Sequence, residues 1–384
     1  MDKTASTLNH PVNRRWLLKK GAMIAGTAAA GATLVGAGKR ALGQVSATKL
    51  TDGDIAIVRF LAAAELIESD LWTQYAELGG IGDNPPIEVD PGQQLNNYQI
   101  ALSNLDPDGP QYIASNTLDE ISHATFLNGY LQSKGADPVT LDEFRTLTGS
   151  QATGAQDIGR LTNLMHLNVD TSWYVRYRSA TNPDLGASFP QALKLQNVAA
   201  IPRDDNDFDG ASNSNFPGND HIQAIANVAA FHFGMIEQGG SSLYATLSQK
   251  VSNLEVLKIT LGIGGDEVAH FLEWVDFAGN GVQAPVAPFK DAVSGLSFPN
   301  FFTNPPLPQP NLVQPSLIFP VPCEFISPDL PLCAVIRPSD DEFAGAVAAV
   351  NSLTKDGLFI GQSFKFFQTI TQLAQEADAA SREL

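Results

Sequence analysis

The sequence predicts an all-α fold organised as a four-helix bundle, on three observations. Apolar residues recur at steps of three and four through several long stretches. Alternating period-two runs, the signature of half-buried strands, are almost absent. Two Glu-x-x-His motifs, Glu120-Ile121-Ser122-His123 and Glu267-Val268-Ala269-His270, fall on two of the helical stretches.

The first forty-odd residues read as a targeting segment, expected over 1–43. Asn13 to Lys20 joins paired arginines to bulky apolar residues and lysines, a Gly/Ala-rich run extends from Gly21 to Gly38, and Ala41-Leu42-Gly43 offers small residues for cleavage. This pattern resembles a bacterial twin-arginine export signal, which implies a periplasmic or extracellular protein. A run of Gly and Ala makes a poor spanning helix, and no later segment reaches about 18 uninterrupted apolar residues. The mature chain is therefore expected to work away from the membrane.

The body of the fold is expected over 50–281. A first helix is predicted from Thr51 to Leu78, capped by Asp52 or Asp54 and ended by Gly79-Gly80. Val58, Leu61, Ala62, Glu65, Glu68, Trp72 and Tyr75 share one of its faces. A second helix starts at about Asn96 or Asp108 and runs to Ser133, stopping at Gly135. A third apolar-periodic stretch covers Asp157 to Ser179, and Thr181 to Asn219 reads as loop, rich in Asn, Asp, Gly and Pro. Helical spacing returns from His221 to Lys250 and from Leu254 to Ala278, where Gly279-Asn280-Gly281 closes it. Thirteen of the 24 prolines lie between Pro285 and Pro338, so a Pro-rich wrapping segment is expected over 282–338. Two further helices, Asp340 to Leu353 and Gly361 to Ala380, make up a C-terminal region over 339–384.

A net charge of -18 argues against nucleic acid or an anionic membrane surface as partner. The two cysteines, Cys323 and Cys333, lack the companions of a zinc or redox site and suggest a disulfide clip in an exported protein.

The chemistry lies in a repeat. On a helix, residues three apart stand about 60° and one turn from each other, so each Glu-x-x-His presents a carboxylate and an imidazole on one face. Each motif is preceded by Asp, Asp119 or Asp266. Glu65 is followed at six and seven residues by Leu71-Trp72, and Glu237 at the same offsets by Leu243-Tyr244. The chain thus reads Glu helix, Glu-x-x-His helix, then both again. Ferritin-like bundles contribute a Glu from each of two helices and a Glu-x-x-His from each of the other two, all pointing inward. The neighbours are apolar: Ile113, Ala124 and Leu127 flank Glu120, Ile263, Phe271 and Trp274 flank Glu267, and Phe233 and Tyr244 flank Glu237. Buried unpaired carboxylates cost several kcal/mol each, so four in one core call for cations or protons. Two divalent ions would balance them, and oxygen donors with one imidazole per metal favour iron or manganese over zinc or copper.

On the residues Phe60-Leu61-Ala62-Ala63-Ala64-Glu65, Glu120 to His123, Glu237 and Glu267 to His270, the chain resembles the secreted ferritin-like domain proteins of bacteria. These are similar to plant desiccation-related proteins and to fungal stress and sexual-development proteins. The resemblance covers roughly Leu50 to Gly281. It implies a bundle with a long crossover and a di-metal centre held by Glu65, Glu120, His123, Glu237, Glu267 and His270. Glu68 is an alternative ligand one turn beyond Glu65, but its counterpart in the repeat is Gly240, so it reads as a supporting carboxylate. Tyr75 and Tyr244 are candidates to stand behind the ligands, and with Trp72 either relay electrons or pack the core. His232 lies near the opposite side of its helix from Glu237, and His166 reads as a packed or surface histidine. Asp205-Asn206-Asp207-Phe208-Asp209-Gly210 matches the first half of a calcium loop, but Phe216 replaces the bidentate Glu, which favours a solvated acidic turn.

The expected function is that of an exported redox protein acting on O2 or peroxide, of oxidase, ferroxidase or peroxidase type. Its alternatives are a non-enzymatic stress or desiccation-related scaffold and a manganese catalase-like enzyme. A homo-oligomer is compatible with the sequence; ferritin-style storage fits it least.

Overall fold

The computed structural model describes residues 49–81, 94–176, 189–208, 212–213, 218–303, 320, 322–323, 326–336 and 344–383. The expected targeting segment and its cleavage site lie outside them. The described residues are mainly helical, with only four short two-stranded antiparallel ladders between the helices.

Helix α1 spans Asp52–Gly79. Its N-cap is Thr51 rather than either aspartate: the Thr51 hydroxyl accepts from the Asp54 amide while the Asp54 carboxylate accepts from the Thr51 amide. The other Asp54 oxygen accepts from the amides of Ser252 and Asn253, tying the start of α1 to the turn before α5. The second predicted helix is two. Helix α2 covers Asn97–Leu105 and α3 covers Gly109–Ser133. Asp106 between them is extended, as a residue before proline tends to be, and Pro107 follows it.

Helix α4 spans Asp220–Ser248 and α5 spans Leu254–Asn280. Nearly every residue of α4 is buried, so it sits inside the molecule. Two glycines let it meet its neighbours closely. A Cβ on Gly234 would lie 2.5 Å from the Trp173 ring, and one on Gly264 of α5 would lie 2.8 Å from the Tyr244 Cβ.

The relative directions of the four long helices follow from their side-chain partners. Trp72 meets Thr117 while Glu65 meets His123, so α1 and α3 run antiparallel. Trp72 meets Glu237 while Glu65 meets Tyr244, so α1 and α4 do too. Asn116 meets Trp274 while Tyr130 meets Glu255 across α3 and α5. Helices α3 and α4 therefore point the same way, which requires the chain between them to return along the length of the molecule.

That return is not the third helix that the apolar spacing of Asp157 to Ser179 suggested. It holds strands β1 (Leu147–Thr148) and β2 (Gly159–Arg160), then β3 (Leu167–Val169) paired with β4 (Leu195–Val198), and one helical turn at Trp173–Arg176. Leu161, Leu164 and Leu167 are fully buried, but distant partners take their backbone neighbours. Asp70 on α1 accepts from the amides of Leu161 and Thr162 and from the Thr162 hydroxyl, and pairs with Arg145. The amides of Asn163 and Asn168 donate to Leu358 and Asp356. A helix could not offer those amides outward.

The acidic turn is a 3₁₀ segment at Asp205–Phe208, with Asp209 and Gly210 outside the described residues. Asp205 accepts from Thr153, and Asp207 pairs with Arg203 and His221. Its oxygens are thus occupied by protein donors.

In the Pro-rich segment the described residues form no long helix; β7 (Phe289–Lys290) pairs with β8 (Ser297–Phe298) (β5 and β6, Ser212–Asn213 and Gly218–Asn219, precede α4). No disulfide joins Cys323 and Cys333: Cys323 is buried and Cys333 lies exposed near the Ala334 carbonyl. The expected clip is corrected accordingly. The spacing showed two cysteines in one extended segment but not which way they face. Helices α6 (Ala346–Lys355) and α7 (Phe364–Asp378) close the fold over α1 and α4. The Asp378 carboxylate at the end of α7 accepts from the amides of Ala346 and Val347, stapling the two helices together. No described helix is long and apolar enough to cross a membrane.

Candidate metal centre

The four long helices bring Glu65, Glu120, His123, Glu237, Glu267 and His270 into one buried cluster. The four carboxylates are at most 1% exposed and the imidazoles at most 7%. Glu65, Glu120, His123 and Glu267 form one group, and Glu120, Glu237 and His270 a second; within each, ligand atoms lie within 4.8 Å of one another. Glu120 belongs to both. His123 Nδ1 stands 3.2 Å from Glu120 Oε2 and 3.5 Å from Glu65 Oε2. His270 Nδ1 stands 3.2 Å from Glu120 Oε1 and 3.3 Å from Glu237 Oε2.

The repeat seen in the sequence becomes an exchange between halves. The tryptophan seven residues after Glu65 donates to Glu237: Trp72 Nε1 lies 3.1 Å from Glu237 Oε1. The tyrosine seven residues after Glu237 donates to Glu65: Tyr244 Oη bonds Glu65 Oε1. The aspartates behave alike. His123 Nε2 lies 3.2 Å from Asp266, and His270 Nε2 lies 3.4 Å from Asp119. Each half fixes the outer atoms of the other half's ligands, leaving the inner atoms free to face one another. Sequence reasoning noticed both aspartates as part of the repeat but gave them no role. Their signal was their position directly before each motif Glu, one turn ahead of their own motif's His, from where they reach the imidazole across the bundle.

The inner atoms are short of partners. Glu65 Oε2, Glu120 Oε1, Glu237 Oε2, both Glu267 oxygens and His270 Nδ1 are buried without a hydrogen bond. Burial, then Glu65, pushes the Glu120 carboxyl up to about 8. Burial and the Glu120 charge likewise raise Glu267 well above the usual carboxylate range. Burial opposes a charged His123, but Asp266, Glu120 and Glu65 overcome it and raise the imidazole to about 12. His270 rises as well; burial again opposes, and Glu237 contributes most in favour. The shifts share one setting: carboxylates crowded together out of water, which disfavours their own charge and favours a charged imidazole. Hard oxygen donors with an imidazole on either side can hold a metal ion, and unsatisfied inward lone pairs fit that role.

The remaining candidates separate. Glu68 lies close enough to be raised by Glu65, Glu120 and Glu237, after burial, yet it belongs to neither ligand group. Its counterpart Gly240 has a structural reason: a Cβ there would sit 2.0 Å from Glu267 Oε2. Tyr75 is not behind a ligand. Its hydroxyl shares a 2.6 Å hydrogen bond with His232 Nδ1, and its ring meets Phe233 edge-on. Burial holds His232 down to about 3, hence neutral. Trp72, Phe233 and Trp274 stack into a dry layer on that side of the cluster. His166 is exposed and bonded to Asn197.

Comparison with known proteins adds no assignment to this geometry: no family model, no curated protein and no solved structure matches the chain.

Proposed function

We propose that the chain is a ferritin-like four-helix bundle that binds two iron or manganese ions and performs redox chemistry on O2 or peroxide outside the cytoplasm. The observation carrying this reading is the two ligand groups joined through Glu120, with inward acceptors that no protein donor satisfies. Four carboxylates balance two divalent cations, and one imidazole falls to each. The up-down-down-up order of α1, α3, α4 and α5 agrees with a ferritin-like crossover. When bound, a pair of such ions supplies a site at which O2 or peroxide can be held and a two-electron change shared.

The protein's own residues do the rest. Asp266 and Asp119 stand at the Nε2 atoms of the two imidazoles and would hold each ring so that Nδ1, once its proton is displaced, presents its lone pair to a bound ion. Trp72 and Tyr244 fix the outer oxygens of Glu237 and Glu65. The aromatic layer excludes water from one side of the cluster. The twin-arginine-like leader supports export of a protein loaded before translocation, since ligand binding and folding are coupled.

Elemental analysis of full-length protein purified from its native compartment tests the reading. The expected result is two equivalents of iron or manganese per chain, with peroxide consumption that disappears when the metal is chelated. Protein that takes up neither ion, and melts unchanged after either is added, would reduce the cluster to a proton-sharing structural core.

A further inference from the structure

A cavity lies between α1, α4 and the closing helices α6 and α7. It offers about 70 Å³ to the centres of water-sized groups, and one water needs roughly 10–15 Å³ on that measure, so it has room for about five such groups. Phe60, Ile67, Ile236, Leu353, Phe359 and Ile370 make its walls apolar. Its polar side chains are Glu68, Asp170, Gln238, Tyr244 and Ser352.

One side of this cavity is the wall of the ligand cluster. Three of its lining residues, Glu68, Gly240 and Tyr244, are also neighbours of the ligands. Tyr244 donates to Glu65, Gly240 leaves the space that Glu267 occupies, and Glu68 lies in the field of Glu65, Glu120 and Glu237. Glu68 therefore offers the cavity a carboxyl on the side nearest the cluster. The opposite wall comes from the C-terminal helices, which contribute no ligand.

We propose that this cavity binds a small, neutral, mainly aliphatic molecule bearing one hydroxyl, its chain among the apolar walls and its polar end at Glu68, beside the metal centre. Dioxygen and peroxide need only a fraction of this space, and an anionic ligand would meet only like charge, from Glu68 and Asp170. The proposal deepens the proposed function by naming a substrate class and rests on that reading for its chemistry, but binding itself needs no metal.

Two adjacent glycines allow the cavity and the centre to be tested apart. A Cβ on Gly239 meets nothing within 4 Å and Gly239 lines the cavity, whereas a Cβ on Gly240 collides with Glu267. Full-length protein, metal-free and manganese-loaded, is titrated with straight-chain alcohols from butanol to octanol by calorimetry. Saturable binding is expected in both forms, tightening with chain length until the cavity is full. Gly239→Leu should weaken binding at least tenfold while leaving metal content and melting temperature near wild type. Absence of saturable binding in both forms overturns the proposal, as does binding that Gly239→Leu leaves intact in a folded protein. Alcohol binding by a chain that takes up no metal would uphold the cavity and sink the centre.

Discussion

The two halves of the cluster share one plan and differ in what surrounds them. Helices α1 and α3 supply Glu65, Glu120 and His123; α4 and α5 supply Glu237, Glu267 and His270. Each half has one helix with an open face, Phe126 of α3 being 54% exposed and Leu261 of α5 60%, but only the second half has a helix, α4, buried almost throughout. Where the first half carries Glu68, the second carries Gly240, and where the first carries Trp72, the second carries Tyr244. The shared positions are those that face the cluster's centre. The unshared ones mark where the molecule opens: Glu68 and Tyr244 both line the cavity. Departure from symmetry therefore locates a side, and it is the side that the C-terminal helices cover.

The largest expected effect comes from breaking the centre itself. Glu120→Ala or Glu267→Ala should abolish metal uptake measured by elemental analysis, while Glu68→Ala should largely retain it. Equal loss in all three would overturn the division between ligand and bystander.

Gly240→Ala should follow closely, because its methyl would occupy the place of Glu267 Oε2; metal affinity should fall at least tenfold. Smaller effects are expected where one half holds the other's imidazole. Asp266→Asn and Asp119→Asn should each cost about 10–100-fold in metal affinity. Asp266 should cost more, because it stands 3.2 Å from His123 and also 3.8 Å from His270. Competitive chelator titration ranks them. A reversed order would mean that the two cross-links are not built as the distances indicate.

The smallest effect lies outside the cluster, at the anchor joining the acidic turn, the start of α4 and the Pro-rich segment. His221 bonds Asp207 and Asp291, which raise it to about 9 against the opposing effect of burial. Both aspartates are lowered, although burial alone would raise them. A raised imidazole stabilises fully below its unfolded value near 6.5, and that stability is lost as pH rises toward 9. Lowered carboxylates stabilise above about 3.9 and lose their contribution as pH falls below that. The anchor should therefore be strongest between about pH 4 and 6.5. From pH 6.5 to 9 the stability should drop on the order of 2 kcal/mol in wild type and much less in His221→Gln, read from urea midpoints.

The helical class and the convergence of six side chains were legible because both are periodic. A helix repeats its face every three or four residues, and a duplicated unit repeats its ligands. What escaped the sequence is held by single long-range bonds. The stretch from Asp157 to Ser179 has apolar spacing, yet Asp70 claims the amides of Leu161 and Thr162 from ninety residues away, and no local pattern announces that. The break at Asp106 was visible in Pro107 but could not be told from a helix start. Tyr75 shares a face with Glu65 by periodicity, but ten residues of rise carry it past the cluster to His232. The Cys323 and Cys333 pairing depended on side-chain direction in an extended segment, which composition does not encode.

The burial of α4 has a consequence for how the chain is completed during synthesis. Its outer flank is covered by α6 and α7, and both follow every ligand in the sequence. A nascent chain would thus emerge with all six donors before the lid over them exists. Cofactor insertion should be easiest in that interval, and a ribosome stalled ahead of Ala346 should expose a species that captures metal readily but releases it just as fast.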